Sequence, residues 1–269
     1  MSATVVTVTS GKGGVGKTTA TANLGTALAE SGQRVVCIDA DIGLRNLDVV
    51  MGLENRIVYD LVDVIEGRCK LRQAMIKDKR LHNLHLIPAA QTRDKTAVSP
   101  EDMLRIADEL RPKHDWIVID SPAGIERGFR NALAPADLVL LVTNPEVSAV
   151  RDADRIIGMT EAEEKDEPKL ILNRVKADMV RRGEMLTAED VLDILAIELI
   201  GVVPEDEGVL KASNQGVPIA LDKRSKAGGA YRAIALRMMG DELPIEDFEA
   251  EGGLFNRLTR MVKAGGQPA

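Results

Sequence analysis

Short runs of Val, Ile and Leu recur along the chain, separated by stretches in which apolar residues return every three to four positions. The runs predict strands over residues 5–9, 34–39, 84–88, 116–120, 138–143, 169–172 and 199–203. They are apolar at consecutive positions, the pattern of strands buried on both faces of a parallel sheet. The helical period predicts helices over 17–30, 100–110, 147–161, 188–196 and 230–239. Alternation of this kind implies an α/β fold, a doubly wound and mainly parallel sheet with helices on both faces.

The pattern breaks once, near the end. Residues 241–251 (DELPIEDFEAE) hold six acids, no base and a proline, which reads as an extended solvated linker. After Gly252 and Gly253 the character reverses to LFNRLTRMVK. On a helical wheel started at Leu254, Phe255 falls at about 100°, Leu258 at about 40°, Met261 at about −20° and Val262 at about 80°. Arg257, Arg260 and Lys263 fall on the opposite side, at about 300°, 240° and 180°. An apolar arc against a basic face suits a helix lying in a membrane interface. A helix docked on its own domain or on a partner gives the same wheel. The expected division is a domain over 1–240, an acidic and Gly linker over 241–253, an amphipathic membrane-targeting helix over 254–263 and a flexible tail over 264–269.

Composition narrows the function classes. Hydrophobic residues make up 45% of 269, enough for a large core, while aromatics are only 2%, so that core must be aliphatic. A net charge of −7 argues against a nucleic-acid-coating protein, and no specific nucleic acid is expected as a partner. Cys37 and Cys69 lie too far apart in sequence for a disulfide framework or a cysteine-ligated metal to be read from them. His82 and His85, three apart in a strand-like stretch, would face opposite ways, and His114 precedes a strand, so none is expected to act chemically. No apolar stretch nears the roughly 18 residues of a membrane span. With Met1 leading directly into a strand, the expected location is cytoplasmic.

The chemistry concentrates at the first strand–helix turn. Residues 11–18 read GKGGVGKT, matching G-x-x-x-x-G-K-T. Gly11, Gly13, Gly14 and Gly16, with Val15 between them, let backbone N–H groups turn inward as an anion cradle. The helix that follows presents its positive end to phosphate. Lys17 would place a charge on the β- and γ-phosphates, Thr18 would ligate Mg²⁺, and Thr19 completes the turn. Asp39, Asp41 and Asp120 stand where apolar runs end, on the side where open α/β sheets bind ligands. Asp120 and Asp39 suit the metal, and Asp41 suits the attacking water. Strand-end aspartates also form turns, so position alone leaves both readings open.

A second lysine, Lys12, opens the loop. KGGVGKTT resembles the deviant Walker A loop of the ParA/MinD class of ATPases. Further segments are similar to the septum-site-determining branch of that class: DADIGLRNLDVVMG with Tyr59 and Asp60, IKDKR, PAAQTRD, DSPAGIE, TNPEVSAVRDADRI, GVVPED and ASNQG. The resemblance implies a Mg²⁺-dependent ATPase that turns ATP into ADP and phosphate. It implies that Lys12 reaches across a homodimer formed on ATP. Asn46 would lie in switch I and residues 121–124 in switch II. Asn173 would read the adenine, with Pro204 and Asp206 clamping its other side.

The partners it implies are a MinC-like inhibitor and a MinE-like activator, facing a helix at residues 148–155, and an anionic membrane surface. The protein would then be peripheral on the inner face of the cell membrane and help place the division septum. An iron-protein reductase would need cysteines in the switch regions, where this chain has none. The flagellar-number ATPase FlhG and a DNA-segregation ParA-type ATPase are the alternatives.

Overall fold

The computed structural model describes residues 2–246. Its strands are β1 (Thr4–Thr9), β2 (Val35–Asp39), β3 (Ile76–Lys77), β4 (Leu84–Ile87), β5 (Trp116–Asp120), β6 (Leu138–Thr143), β7 (Lys169–Val175) and β8 (Leu199–Pro204). They form one eight-stranded sheet in the order β3-β4-β2-β5-β1-β6-β7-β8. Only β3, at one edge, runs antiparallel to its neighbour. Every residue of β2 and β5 is buried, as consecutive apolar residues between two helical layers require.

The helices are α1 (Lys17–Glu30), α2 (Leu47–Met51), α3 (Leu61–Ile65), α4 (Leu71–Ala74), α5 (Pro100–Leu110), α6 (Arg127–Leu133), α7 (Val147–Ala162), α8 (Ala177–Arg181), α9 (Ala188–Leu195), α10 (Glu207–Asn214) and α11 (Lys226–Met238). Successive side chains of each strand feed opposite faces. Val6 and Val8 of β1 pack with Leu24 and Leu28 of α1 and with Tyr231 and Ile234 of α11. Val5 packs on the other face with Met103 and Ile106 of α5. That face continues beneath α6, α7 and α9, where Phe129, Ile156 and Val191 meet.

Local chemistry explains several boundaries. Ser99 caps α5 in a reciprocal box with Asp102, with Pro100 in the first turn. Thr187 and Asp190 do the same for α9. The short helices α2, α3, α4, α6, α8 and α10 lie outside the predicted set, because four to eight residues hold too few turns to show a period. Strand β7 runs past its predicted end, and its register with β8 shifts between Asn173 and Val175, where Arg174 takes φ 58°. Helix α11 starts earlier than predicted, at a Ser225 cap.

The first six residues of the acidic segment form no helix or strand and five of them are exposed, yet they are tied to the body. Arg237 Nε donates to the Leu243 carbonyl at 2.9 Å, and its Nη2 donates to that of Pro244 at 2.7 Å. Ile245 packs against the core beside α9. One apolar side chain and one forked guanidinium suffice to hold this stretch on the body. Residues 247–253 of the linker, the expected membrane helix with Leu254, Phe255, Leu258, Met261 and Val262, and the tail lie outside the described residues. Among the described residues no helix is long and apolar enough to cross a membrane.

One histidine also sits differently from the expectation. His82 occupies the turn before β4, so only His85 is on a strand. The His85 ring meets His114 edge to face at 6.0 Å. Burial lowers the pKa of both. Cys37 is fully buried, and burial pushes its thiol up.

Candidate nucleotide site

The site forms where β1, β2, β5, β7 and β8 end. Gly14 and Gly16 adopt φ of 79° and 99°, backbone that favours glycine, so the loop between β1 and α1 curls over its own amides. A Cβ on Gly16 would lie 2.3 Å from Asn173 Nδ2. Gly16 precedes α1 as its cap and offers no side-chain hydrogen bond, so the first-turn N–H groups of α1 face the loop unclaimed by a cap.

Lys17 and Asp120 make the central contact. Lys17 Nζ lies 3.1 Å from Asp120 Oδ1, with the two side chains 8% and 1% exposed. Thr21 Oγ1, one turn along α1, lies 3.2 Å from the same oxygen. Asp39 is the register partner of Asp120 across β2 and β5. Its Oδ1 accepts from the Asp41 amide at 3.0 Å, and its Oδ2 from the Asn46 and Leu47 amides at 3.2 Å. Burial, and then the charge of Asp120, push the Asp39 carboxyl up to about 7. Two buried acids side by side, only one of them paired with an ammonium, leave the pocket short of positive charge.

That shortage is the test for a divalent cation. Thr18 is the second residue of α1, next to Lys17, so a hydroxyl joins two carboxylates in the residues available here, the oxygen donor types a hard cation takes. Among the described residues no group of three or more His, Cys, Asp or Glu forms a cage. A cation held here would therefore complete its shell from phosphate and water, as Mg²⁺ usually does. The residues fit the ion.

Away from the metal end, the loop runs into a cleft of about 870 Å³. Gly16, Thr19, Asn173, Pro204 and Asp206 line it, with Val50 of α2 and Leu210 of α10 on the far wall. Asn173 Nδ2 donates to the Val15 carbonyl at 2.7 Å, which fixes the plane of its carboxamide. Asp206 is spent differently from a free clamp. Its Oδ1 accepts from the Gly208 amide at 2.8 Å and its Oδ2 from Ser225 Oγ at 2.7 Å, capping α10 and tying it to the start of α11.

The front of the loop leans on α7. Lys12 Nζ donates to Ser148 Oγ at 3.2 Å, and a Cβ on Gly11 would lie 2.1 Å from the Asp152 carbonyl oxygen. Segment 148–155 thus lies on a helix whose first turns touch the phosphate loop. Residues 121–124 pass beside the same loop, with the Gly124 amide donating to the Ser10 carbonyl at 3.0 Å. Asp41 and Asn46 sit at the open rim beyond β2, the first half-buried and the second exposed.

Two contributors carry a signal that spacing alone under-reads. Thr21 follows Lys17 by four residues, hence on the same helical face, but nothing in the chain marks Asp120 as its partner. Asn144, with its amide nitrogen turned to the loop, reaches the Val15 and Asn173 carbonyls at 3.2 and 3.3 Å. It directly follows β6, a position as ordinary in sequence as any other after a strand.

A complete phosphate loop after a strand, a lysine at each end of it and paired aspartates on neighbouring strands define a P-loop nucleotide-binding domain of the two-lysine kind. The family model of the CobQ/CobB/MinD/ParA nucleotide binding domain matches residues 6–219. The septum site-determining protein MinD of Bacillus subtilis is 55% identical over 248 residues, covering 91% of this chain and 92% of that protein. Among solved structures, the MinC:MinD cell division protein complex of Aquifex aeolicus superposes with a TM-score of 0.86 at 50% identity, covering 91% of this chain and 99% of that one. The MinD protein of Pyrococcus horikoshii complexed with Mg-ADP gives a TM-score of 0.78 at 30% identity, covering 90% of this chain and 100% of that one. The chain belongs to the MinD family of septum site-determining ATPases.

Proposed function

We propose that this chain is an ATP-driven membrane switch: ATP brings two copies together, the dimer holds a membrane, and hydrolysis releases it. The observation that carries the reading is the buried Lys17–Asp120 pair beneath a complete phosphate loop. Lys17 is neutralised in place, ready to turn to the β- and γ-phosphates. Thr18, with Asp39 and Asp120, would hold Mg²⁺, which when bound neutralises charge on those phosphates. The amides of residues 11–19 cradle the phosphates, and Asp41 orients the attacking water. Asn173, its nitrogen tied to the loop, offers its carboxamide oxygen to the exocyclic amine of adenine. Residues 204–206 close the opposite side through Pro204 and backbone.

Dimerisation is supported by what surrounds the site. Lys12 is exposed at the front of the loop, held among the described residues by a single hydroxyl, and can reach a second copy's phosphates once that contact is released. Leu44 and Val147 follow β2 and β6 at the carboxyl end of the strands and are 61% and 58% exposed. Apolar side chains left open around a nucleotide site suit a nucleotide-dependent interface.

The sequence pattern at residues 254–263 supports the membrane half. Each large apolar side chain contributes about 1.5–3 kcal/mol when fully buried, but insertion is partial and ordering costs energy. One tail alone should bind marginally. Two tails on one dimer make the second insertion intramolecular and raise avidity by about 10²–10⁴. Three basic groups add about 1 kcal/mol each on anionic lipid. The partners of this reading are a MinC-like inhibitor, supported by the Aquifex aeolicus complex, and a MinE-like activator.

Co-sedimentation of the full chain with anionic vesicles, in ATP and in ADP, is the test. Binding at least tenfold stronger in ATP is expected, and equal binding would refute the switch. Lys17→Ala should abolish ATP-dependent dimerisation; a variant that still dimerises on ATP would refute the assignment of the site.

A further inference from the structure

We infer that Arg80, at the end of the IKDKR segment, is a positioning residue that makes the base-side helix α10 and the switch-side helix α2 move as one body. Its Nη2 donates to two backbone carbonyls from distant parts of the chain, Met51 at 2.8 Å and Gly216 at 2.7 Å. Met51 is the last residue of α2, and Gly216 follows the end of α10. The guanidinium satisfies at once the Met51 carbonyl, left without an intrahelical partner at the end of α2, and the Gly216 carbonyl in the turn just past α10.

The backbones beneath it are already in contact. Gly52 and Gly216 adopt φ of 68° and 63°, and each sits where a Cβ would collide with the other. A Cβ on Gly52 would lie 2.5 Å from the Gly216 carbonyl oxygen, and a Cβ on Gly216 would lie 2.5 Å from Gly52 Cα. Arg80 is aimed from its own side by Asp78. That carboxylate is 4% exposed and accepts from the Arg80 and Leu81 amides at 2.7 and 2.9 Å.

What the clasp joins gives it a role. Helix α10 and Val50 of α2 line the cleft assigned to the base. At its other end α2 begins with the Asn46 and Leu47 amides on Asp39 Oδ2. A base pressing on α10 is therefore felt, through Gly216, Arg80 and Gly52, at the carboxylate assigned to the metal. Occupancy of one end of the nucleotide would favour the closed arrangement at the other. The inference rests on the nucleotide reading above.

The test uses the full chain with Mg-ADP as probe, and reads amide deuterium exchange over residues 44–53 and over the phosphate loop. In the natural chain ADP should slow exchange at Asn46 and Leu47 as well as in the loop. In Arg80→Met, saturating ADP should still protect residues 11–19, while its protection of Asn46 and Leu47 falls by at least about fivefold, the lower end of ordinary site-to-site coupling. Arg80→Lys, with a point charge in place of a fork, should recover part of it. Gly216→Ala opens the same contact from the other side and serves if Arg80→Met does not fold. Unchanged protection of Asn46 and Leu47 at saturating ADP, in either variant, would overturn the clasp even if affinity fell. Failure of the natural chain to bind ADP would instead refute the nucleotide reading itself.

Discussion

Replacing Lys17 by Met in the nucleotide-free protein isolates the electrostatics of the empty site. The substitution keeps most of the side chain's length and removes the ammonium 3.1 Å from Asp120. Asp120 is 1% exposed and Asp39, its register partner, is fully buried, so no solvent replaces the lost charge. Breaking a buried ion pair by removing one partner costs about 3–5 kcal/mol. The Thr21 hydroxyl at 3.2 Å remains to solvate Asp120, which argues for the lower end, about 3 kcal/mol.

For 269 residues at about 2.1 cal/mol/K each, that corresponds to a fall of about 5 °C in melting temperature. The loss should grow with pH. Asp39, pushed up to about 7, ionises beside Asp120 above that pH, so the variant then confronts two bare carboxylates where the natural chain keeps the Lys17 ammonium on Asp120. Calorimetry at pH 6 and pH 8 reads both effects. Lys17→Met/Asp120→Asn should recover most of the stability, because the charge and its orphaned partner leave together. A Lys17→Met melting point within 1 °C of the natural chain at pH 8, or a double variant no better than the single, would refute the argument.

Gly16→Ala forces a Cβ onto a residue at φ 99° and against Asn173 Nδ2, so nucleotide affinity should drop at least tenfold in an ADP titration while the far edge of the sheet keeps its exchange protection. Asn173→Ala removes the 2.7 Å tether to Val15, worth about 1 kcal/mol, and with it the oxygen proposed to read the base; ADP affinity should fall about five- to tenfold, with phosphate binding unchanged. The His85–His114 pair predicts a pH response. Burial holds both folded pKa values below the ordinary 6.5, so the unfolded chain takes up protons first and stability is lost as pH falls below about 6.5. His114→Gln should flatten that slope in urea unfolding between pH 7 and 5.

Much of this molecule is local and therefore readable from its letters. The parallel core declares itself because strands buried on both faces admit only apolar side chains, and β2 and β5 are apolar up to their terminal aspartates. The phosphate loop is readable because its glycines, lysine and threonine act through the backbone and helix end they themselves form. Helix α5 is announced by Ser99, Pro100 and Asp102 within four residues. What sequence cannot carry is the meeting of distant segments. Lys17 rests on Asp120, Asn173 on the Val15 carbonyl and Lys12 on Ser148, each pair more than one hundred residues apart. The strand order of the sheet sets those meetings, and it also places Gly52 against Gly216 under Arg80. The residue types along the chain fix which groups can bind phosphate and metal. Packing of the sheet alone decides which of them share a pocket, because contact between remote residues depends on topology and leaves no periodicity behind.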